Sequence, residues 1–205
     1  MTTTLAMLAT WITGSVVSAE FLGYWMHRLL HSGAIGVLSR NHMRHHLLLY
    51  GPLQEQRTRG YRDATTGSLA LGNIGTEWIV PALVLIVASA GLFHLLRIRA
   101  LYQEACFATT LSWSFLMFSK LHDVMHVKDF WLEKSGVLKH WFLRARRRHD
   151  LHHFAINDAG LMNKNFGIGF YLFDRLFGTL SDTMPVLNRK GYAEACQRFK
   201  SLLNS

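Results

Sequence analysis

The sequence is poor in the residues on which several common cofactor sites depend. Its 205 residues include only two cysteines, Cys106 and Cys196, and their wide separation fits neither a zinc-binding knuckle nor an iron–sulfur cluster. No GxGxxG fingerprint of a dinucleotide-binding loop occurs. The chain therefore carries no recognisable motif for a haem, flavin, nicotinamide or iron–sulfur cofactor. The two cysteines also give no indication of an oxidising compartment.

Charge is scarce as well, and it is scarcest at the start of the chain. No charged residue precedes Glu20, so the basic segment that opens a secretory signal is missing and we expect no such signal. Half of the residues are hydrophobic, yet the net charge is +9. The basic residues must therefore be concentrated between apolar stretches. The length suits one domain, and we predict a single domain over residues 1–205.

Three apolar stretches are long enough to approach or cross a membrane. They cover about residues 5–25, 78–96 and 101–120. The first would extend roughly 31 Å as a helix, which is about one hydrocarbon thickness. We predict an all-α integral membrane bundle with about three to four transmembrane helices. The alternative is a soluble helical protein, and stretches of this length disfavour it.

Lysine and arginine predict the orientation of this bundle. Residues 28–62 contain six of them and residues 120–205 contain fourteen, whereas none precedes Arg28. The positive-inside rule places both basic regions in the cytoplasm. We therefore predict a cytosolic, helical, histidine-rich cap built from about residues 27–62 and 121–205. Arg97 and Arg99, between the second and third stretches, are the exception. The glycine-rich residues 60–76 predict a loop or a broken helix.

Ten of the twelve histidines fall into four short clusters. Their spacings are HxxxH, HxxHH, HxxxH and HxxHH, in that order along the chain. Residues three and four apart share a helix face, so each HxxxH is expected to direct two imidazoles at one point and each HxxHH three. Imidazole suits iron, copper, nickel and zinc, and ten ligands exceed the about four to six of one ion, so two ions are expected. The clusters are His27 and His31; His42, His45 and His46; His122 and His126; and His149, His152 and His153.

The clusters follow the ends of the first and third apolar stretches, so one layer under the membrane would collect all ten histidines. His94 and His140 belong to no cluster, although His140 is a candidate for an additional ligand. This placement argues against a histidine-rich metal transporter, the non-enzymatic alternative, because transporters bind their ions near the middle of the membrane.

Together with the segment NFGIGFYLFDRLFGTL at residues 165–180, the four clusters resemble the fatty acid hydroxylase/sterol desaturase superfamily of membrane di-iron oxygenases. The resemblance extends from Glu20 to Leu180. It implies two iron ions held by the ten clustered histidines, molecular oxygen as co-substrate, and hydroxylation or desaturation of a lipid such as a fatty acyl chain or a sterol. Zinc is able to replace iron in preparations, because it also binds imidazole.

The chain departs from the superfamily pattern in its short membrane part. Three stretches are present where many members have four or more spans, and this shortness resembles carotenoid hydroxylases. Those enzymes tend to have four residues between the histidines of the first and third clusters, and this chain has three. The part from His122 to residue 180 is more similar to fatty acid 2-hydroxylases. A carotenoid ring hydroxylase is therefore the alternative among enzymes.

Three carboxylates lie where they would support the ligands. Glu20 shares a helix face with His27 and His31, so it either holds a ligand imidazole by its second nitrogen or makes a polar contact between helices. Asp123 and Asp150 each follow the first histidine of a cluster and are either such partners or solvated charges. We predict no catalytic residue beyond the metal ligands.

An oxygenase of this type needs electrons from outside, because the chain has no motif for a cofactor that would supply them. The resemblance therefore implies a separate ferredoxin, cytochrome or reductase. The arginines at 144 and 146–148 would meet anionic lipid headgroups on the cytoplasmic face, or dock an acidic electron donor, and we favour the lipid. Basic residues that flank apolar stretches and histidine clusters do not indicate nucleic-acid binding.

Overall fold

The computed structural model describes residues 2–54, 57 and 78–204. Within these residues the secondary structure is helical, and the one β-bridge is an isolated antiparallel pair between Ile156 and Met162. The all-α prediction is confirmed for this part of the chain. The predicted loop at residues 60–76 lies outside the described residues, and the single domain over residues 1–205 stays a prediction.

Helix α1, Thr2–Ser32, contains the first predicted span and continues beyond it through the first histidine cluster. Its 31 residues extend about 46 Å, well beyond a hydrocarbon core of about 30 Å. The last turns therefore project past the apolar stretch and carry His27 and His31 with them. Gly33 follows in a left-handed conformation (φ +75°), which is typical of the residue that ends a helix.

A 3-10 turn, Gly36–Ser39, leads into helix α2, Arg40–Arg44, and then into a π-helical turn, His45–Leu49. This short, irregular helix holds the second histidine cluster. Its apolar residues pack under the C-terminal helices, where Met43 and Leu47 belong to a buried cluster with Met162 and Phe199.

The second predicted span is helix α3, Ile79–Leu95, and the third begins as helix α4, Ala100–Ser114. Helix α4 continues through a π-helical segment, Phe115–Leu121, into the short helix α5, His122–Met125. Among the described residues, α1 alone is long and apolar enough to cross a membrane unaided, and α3 is a shorter apolar helix of 17 residues. The predicted count of three to four transmembrane helices is therefore not confirmed.

Helices α1 and α4 pack along each other and form the frame on which the histidine layer rests. The Trp11 ring stacks on Tyr102 with centroids 5.9 Å apart, and the Trp113 indole N–H donates to Glu20 Oε1 at 2.7 Å. Helix α3 differs, because none of its residues is buried.

A 3-10 turn, Trp131–Lys134, precedes helix α6, Lys139–Phe154, which carries the fourth histidine cluster in its last two turns. The remaining helices are short: α7 is Leu172–Leu176, α8 is Arg189–Arg198 and α9 is Lys200–Leu203. A second buried cluster joins the end of the α4 extension to α6 and to the segment before α7. It consists of Met117, Leu121, Met125, Leu132, Phe142, Ala145, Ile168 and Tyr171. The histidine layer thus lies between two apolar cores.

Candidate metal centre

All ten clustered histidines are buried together, although they come from four separate parts of the chain. Each is at most 4% exposed. His94, in the last turn of α3, and His140, in the first turn of α6, are exposed and belong to neither group described below.

The first group, here called the downstream centre, takes most of its members from the second half of the chain. One ring nitrogen from each of its five histidines lies within 4.8 Å of all the others. The His149 and His126 Nε2 atoms are 2.8 Å apart, and those of His45 and His153 are 3.2 Å apart. The members are His45, His122, His126, His149 and His153.

The second group, the upstream centre, is built mainly on the end of α1 and on α2 with its π-helical turn. Nitrogens of His27, His31, His42 and His46 lie within 4.8 Å of one another. His152 joins them from α6: its Nε2 is 3.0 Å from His31 Nε2, which is in turn 2.9 Å from His42 Nε2. Each centre thus gathers five imidazoles.

The two HxxHH clusters are divided between the centres, which corrects the expectation that all three of their imidazoles meet at one point. His42 and His46 enter the upstream centre and His45 the downstream one, whereas His149 and His153 enter the downstream centre and His152 the upstream one. Residues four apart are about 40° apart around a helix, but adjacent residues are about 100° apart. The middle histidine therefore points to a neighbouring site.

The centres are adjacent. The His46 ring of the upstream centre stacks on the His153 ring of the downstream centre with centroids 3.9 Å apart. Since each HxxHH helix contributes to both sites, the two sites cannot separate without unwinding a helix. Two ions, one in each centre, would therefore lie side by side.

Backbone carbonyls orient several of the rings. The Nδ1 atoms of His27, His152 and His153 lie 2.6, 2.6 and 2.9 Å from the carbonyl oxygens of Phe166, Lys164 and Tyr50, respectively. A carbonyl only accepts, so each Nδ1 carries the hydrogen and each Nε2 presents its lone pair to the centre. This is the tautomer that binds a metal ion through Nε2.

Three further observations fit metal ions at both centres. The Nε2 atoms of His27, His46 and His122 are buried without a hydrogen-bond partner. Burial lowers the pKa of His46 and of His149 well below the ordinary value, which keeps their rings neutral. Adjacent ligands on an ion with bonds of about 2.1 Å stand about 3.0–3.4 Å apart, close to the Nε2 separations seen here. Two Nε2 lone pairs that face each other at such distances repel unless a ring proton or a metal ion lies between the nitrogens.

The three candidate carboxylates lie in different surroundings. Asp123 Oδ1 is 3.3 Å from Nδ1 of the ligand candidate His122. Asp150 accepts hydrogen bonds from Tyr50 Oη at 3.0 Å and from Arg57 at 2.6 Å. Glu20 is bonded to Trp113 and has the position of the polar contact between helices.

Tyr50 is a site residue that the sequence analysis missed. Its carbonyl orients His153, its hydroxyl donates to Asp150, and its ring centroid is 3.8 Å from that of His126. It directly follows the π-helical turn, where the chain leaves the helix. Helical periodicity therefore gave no signal for it.

A pocket of about 220 Å³ reaches one histidine of each centre, His27 and His122. The rest of its wall comes from α1, from α3 and its preceding residue, from the π-helical segment and from the loop before α7. These residues carry no charge and are Leu22, Gly23, Met26, Leu30, Trp78, Ala82, Leu85, Phe118 and Ile168. Because four separate parts of the chain form this wall, no local sequence pattern predicts the pocket.

Comparison with known proteins adds one match. The family model described as fatty acid hydroxylase matches residues 12–179, well over half of the chain and inclusive of all four histidine clusters. No curated protein and no solved structure gives a significant match.

Proposed function

The chain belongs to the fatty acid hydroxylase family, and we propose that it is a membrane-bound, oxygen-dependent di-iron enzyme that hydroxylates or desaturates a lipid. Membership indicates an oxidoreductase. The observation that carries the finer proposal is the uncharged pocket that ends on a histidine from each of two adjacent five-histidine centres. An acyl chain or a sterol ring fits such a wall, whereas a polar substrate would lose its hydrogen bonds there.

Two iron ions are the proposed occupants of the centres. His27, His31, His42, His46 and His152 would hold one, and His45, His122, His126, His149 and His153 the other. When bound, the iron pair supplies from O₂ the oxidising power that no side chain possesses. Zinc fits the same donors and is expected in some preparations.

The residues of this chain would orient the substrate and exclude water from the site. The pocket wall would align an apolar chain along α1 and hold the reacting carbon beside the histidine layer, which orients the substrate for reaction. Because the ten imidazoles and the two flanking cores are buried, water is kept from the reacting carbon. The carbonyls of Lys164, Phe166 and Tyr50 fix the rings, so little reorganisation is needed when the ions bind.

The helices that flank the pocket support placement in a membrane. Apolar side chains of α3 are highly exposed, as in Val80 at 69%, Val87 at 70% and Leu95 at 79%. An uncharged helix without a fully buried residue would expose a large apolar patch to water, whereas lipid covers such a patch at no cost. The charge distribution supports a cytoplasmic position for the histidine layer.

Electrons are proposed to come from an external ferredoxin, cytochrome or reductase. The arginine block that precedes the fourth cluster offers only part of its charge to such a partner. Arg146 is buried and paired with Glu133 at 2.8 Å, and Arg148 is paired with Asp182 at 2.6 Å. Arg144 and Arg147 are exposed on α6 and remain for headgroups or an acidic protein.

Lipid profiling tests the proposal. The wild type and the His152→Ala variant are expressed in a host that offers acyl lipids, sterols and carotenoids, and lipids are compared by mass spectrometry for the gain of one oxygen atom or the loss of two hydrogen atoms. We expect an oxygen-dependent product with the wild type and none with His152→Ala. His94→Ala is the matched control, because His94 is exposed on α3 away from both centres. Iron-loaded wild type with an electron donor and no lipid product would overturn the proposal.

A further inference from the structure

The pocket has a second layer of residues one helical turn from the histidines. On α1, Gly23 precedes His27 by four residues, and on the π-helical segment Phe118 precedes His122 by four; all four line the pocket. Four residues correspond to about 6 Å along an α-helix. Gly23 and Phe118 therefore form the wall of the pocket on the side of the apolar stretch of α1.

Phe118 lies directly against the backbone of α1. A Cβ atom built at Gly23 would overlap the Phe118 ring, so the ring occupies the space that any other residue at position 23 would fill. Phe118 also packs against the buried cluster around Met117 and Leu121. Its ring is thus held across the seam between α1 and the helix that follows α4.

Beyond this ring, α1 continues with small residues and a further cavity. Ala19 and Ser15 are buried one and two turns before Gly23. Ser15 lines a cavity of about 380 Å³ together with Trp11, Gly14 and Phe93, among others. On α1, Ser15 and Gly23 are about 12 Å apart along this seam, and Phe118 lies against its Gly23 end, which is the end nearer the histidines.

The polarity of the pocket indicates which end would take the apolar tail of a substrate and which end its polar headgroup. Leu22, Gly23 and Phe118 line the pocket at the end near the ring, and none of them offers a polar side-chain group. At the opposite end, Trp78 donates its indole N–H to the Leu38 carbonyl at 2.8 Å, as an aromatic residue at a membrane interface would. A polar headgroup at the Phe118 end would lose its hydrogen bonds, so this end takes an apolar terminus.

We propose that Phe118, seated on Gly23, is the end stop for the apolar tail of the substrate, and that it sets both the longest tail that fits and the carbon that lies beside His27 and His122. This inference rests on the proposed function and names its substrate class as a lipid with an extended apolar tail. The tail points into the apolar stretch of α1 and the headgroup towards Trp78.

Variants at position 118 change the length of the pocket in opposite directions. Phe118→Ala joins the pocket to the Ala19 seam, so chains longer than the wild-type limit gain about fourfold in affinity for each further buried methylene. Phe118→Leu opens part of the same space with a smaller loss of core volume. Phe118→Trp shortens the pocket and moves the limit to shorter chains.

Binding of a ladder of straight-chain fatty acids to the iron-loaded, detergent-solubilised full chain tests the end stop without turnover. The control is Leu116→Ala, since Leu116 is exposed on the same helical segment and does not line the pocket. We expect the length limit to move up in Phe118→Ala and Phe118→Leu, down in Phe118→Trp, and to stay unchanged in the control. Product analysis should show oxidation farther from the methyl end in Phe118→Ala.

The outcomes separate the two proposals. A wild-type length limit that all three Phe118 variants leave in place overturns the end stop, whether or not lipid is oxidised. Limits that move as expected without any oxidised product support the end stop and overturn the proposed reaction. If no chain of any length binds, the tail-binding inference is wrong together with the substrate class.

Discussion

Substitution of His152 by alanine should remove one metal ion and leave the other. His152 lies in the fourth cluster, between His149 and His153 of the downstream centre, but its Nε2 is 3.0 Å from His31 Nε2 of the upstream centre. It is fully buried and is held by the Lys164 carbonyl at 2.6 Å. The structure therefore predicts that substitution of His152 removes the upstream ion, although its sequence neighbours His149 and His153 belong to the downstream centre.

The expected effect is large. Loss of a residue that merely orients a ligand costs roughly 10–100-fold in metal affinity, so the loss of a ligand should cost at least about 100-fold. We expect iron to fall from about two ions to about one per chain in His152→Ala, with loss of product formation because the pair is broken. His94→Ala should retain both the iron and the activity.

Double variants identify which ion is lost. His46→Ala acts on the same centre, so combined with His152→Ala it should leave about one ion, because the two changes share one site. His126→Ala acts on the downstream centre, so that combination should leave almost none. Metal analysis and activity are measured in the same purified preparations. Full iron and activity in His152→Ala would refute the histidine assignment, and one ion remaining in both double variants would refute the division of the clusters.

Three further predictions concern other parts of the structure. Tyr50→Phe removes the hydroxyl that donates to Asp150, and the folded variant should bind iron about 10-fold more weakly in a chelator competition. Unchanged iron affinity would show that this contact does not support the centre. Asp174→Ala leaves the Phe166 and Gly167 N–H groups without their acceptor and should lower the free energy of unfolding by about 2–4 kcal/mol. Asp182→Ala removes an exposed ion pair and should lower it by less than about 1 kcal/mol. Equal losses of stability in thermal unfolding of the two variants would contradict this prediction. Leu48 is 46% exposed, so a cysteine placed there should be labelled from the cytoplasm, and a C-terminal reporter should lie on the same side. Labels on opposite sides of the membrane would refute a single cytoplasmic layer.

The helices and the metal-binding character of the site were open to prediction because both depend on local spacing. An imidazole every three or four residues is directed to one side of a helix wherever that helix packs, and three apolar stretches form helices in water or lipid. His94 and His140, which belong to no cluster, are exposed, and no feature of the sequence indicated this exposure. The transmembrane count was harder, because α3 is short and the third stretch changes to a π-helix at Phe115, which no apolar pattern reveals.

The sequence by itself determined the number of imidazoles, their chemistry and their helical faces, since these are fixed within a few residues of chain. The tertiary structure alone decided which imidazoles lie together in each centre. His45 and His152 cross to the opposite centre because the rings of the π-helical turn His45–Leu49 and of the end of α6 meet, and no spacing within either segment records that contact. The same holds for Tyr50 beside His126, for the internal pairing of Arg146 and for the Phe118 ring on Gly23. Each depends on residues far apart in sequence that packing brings together.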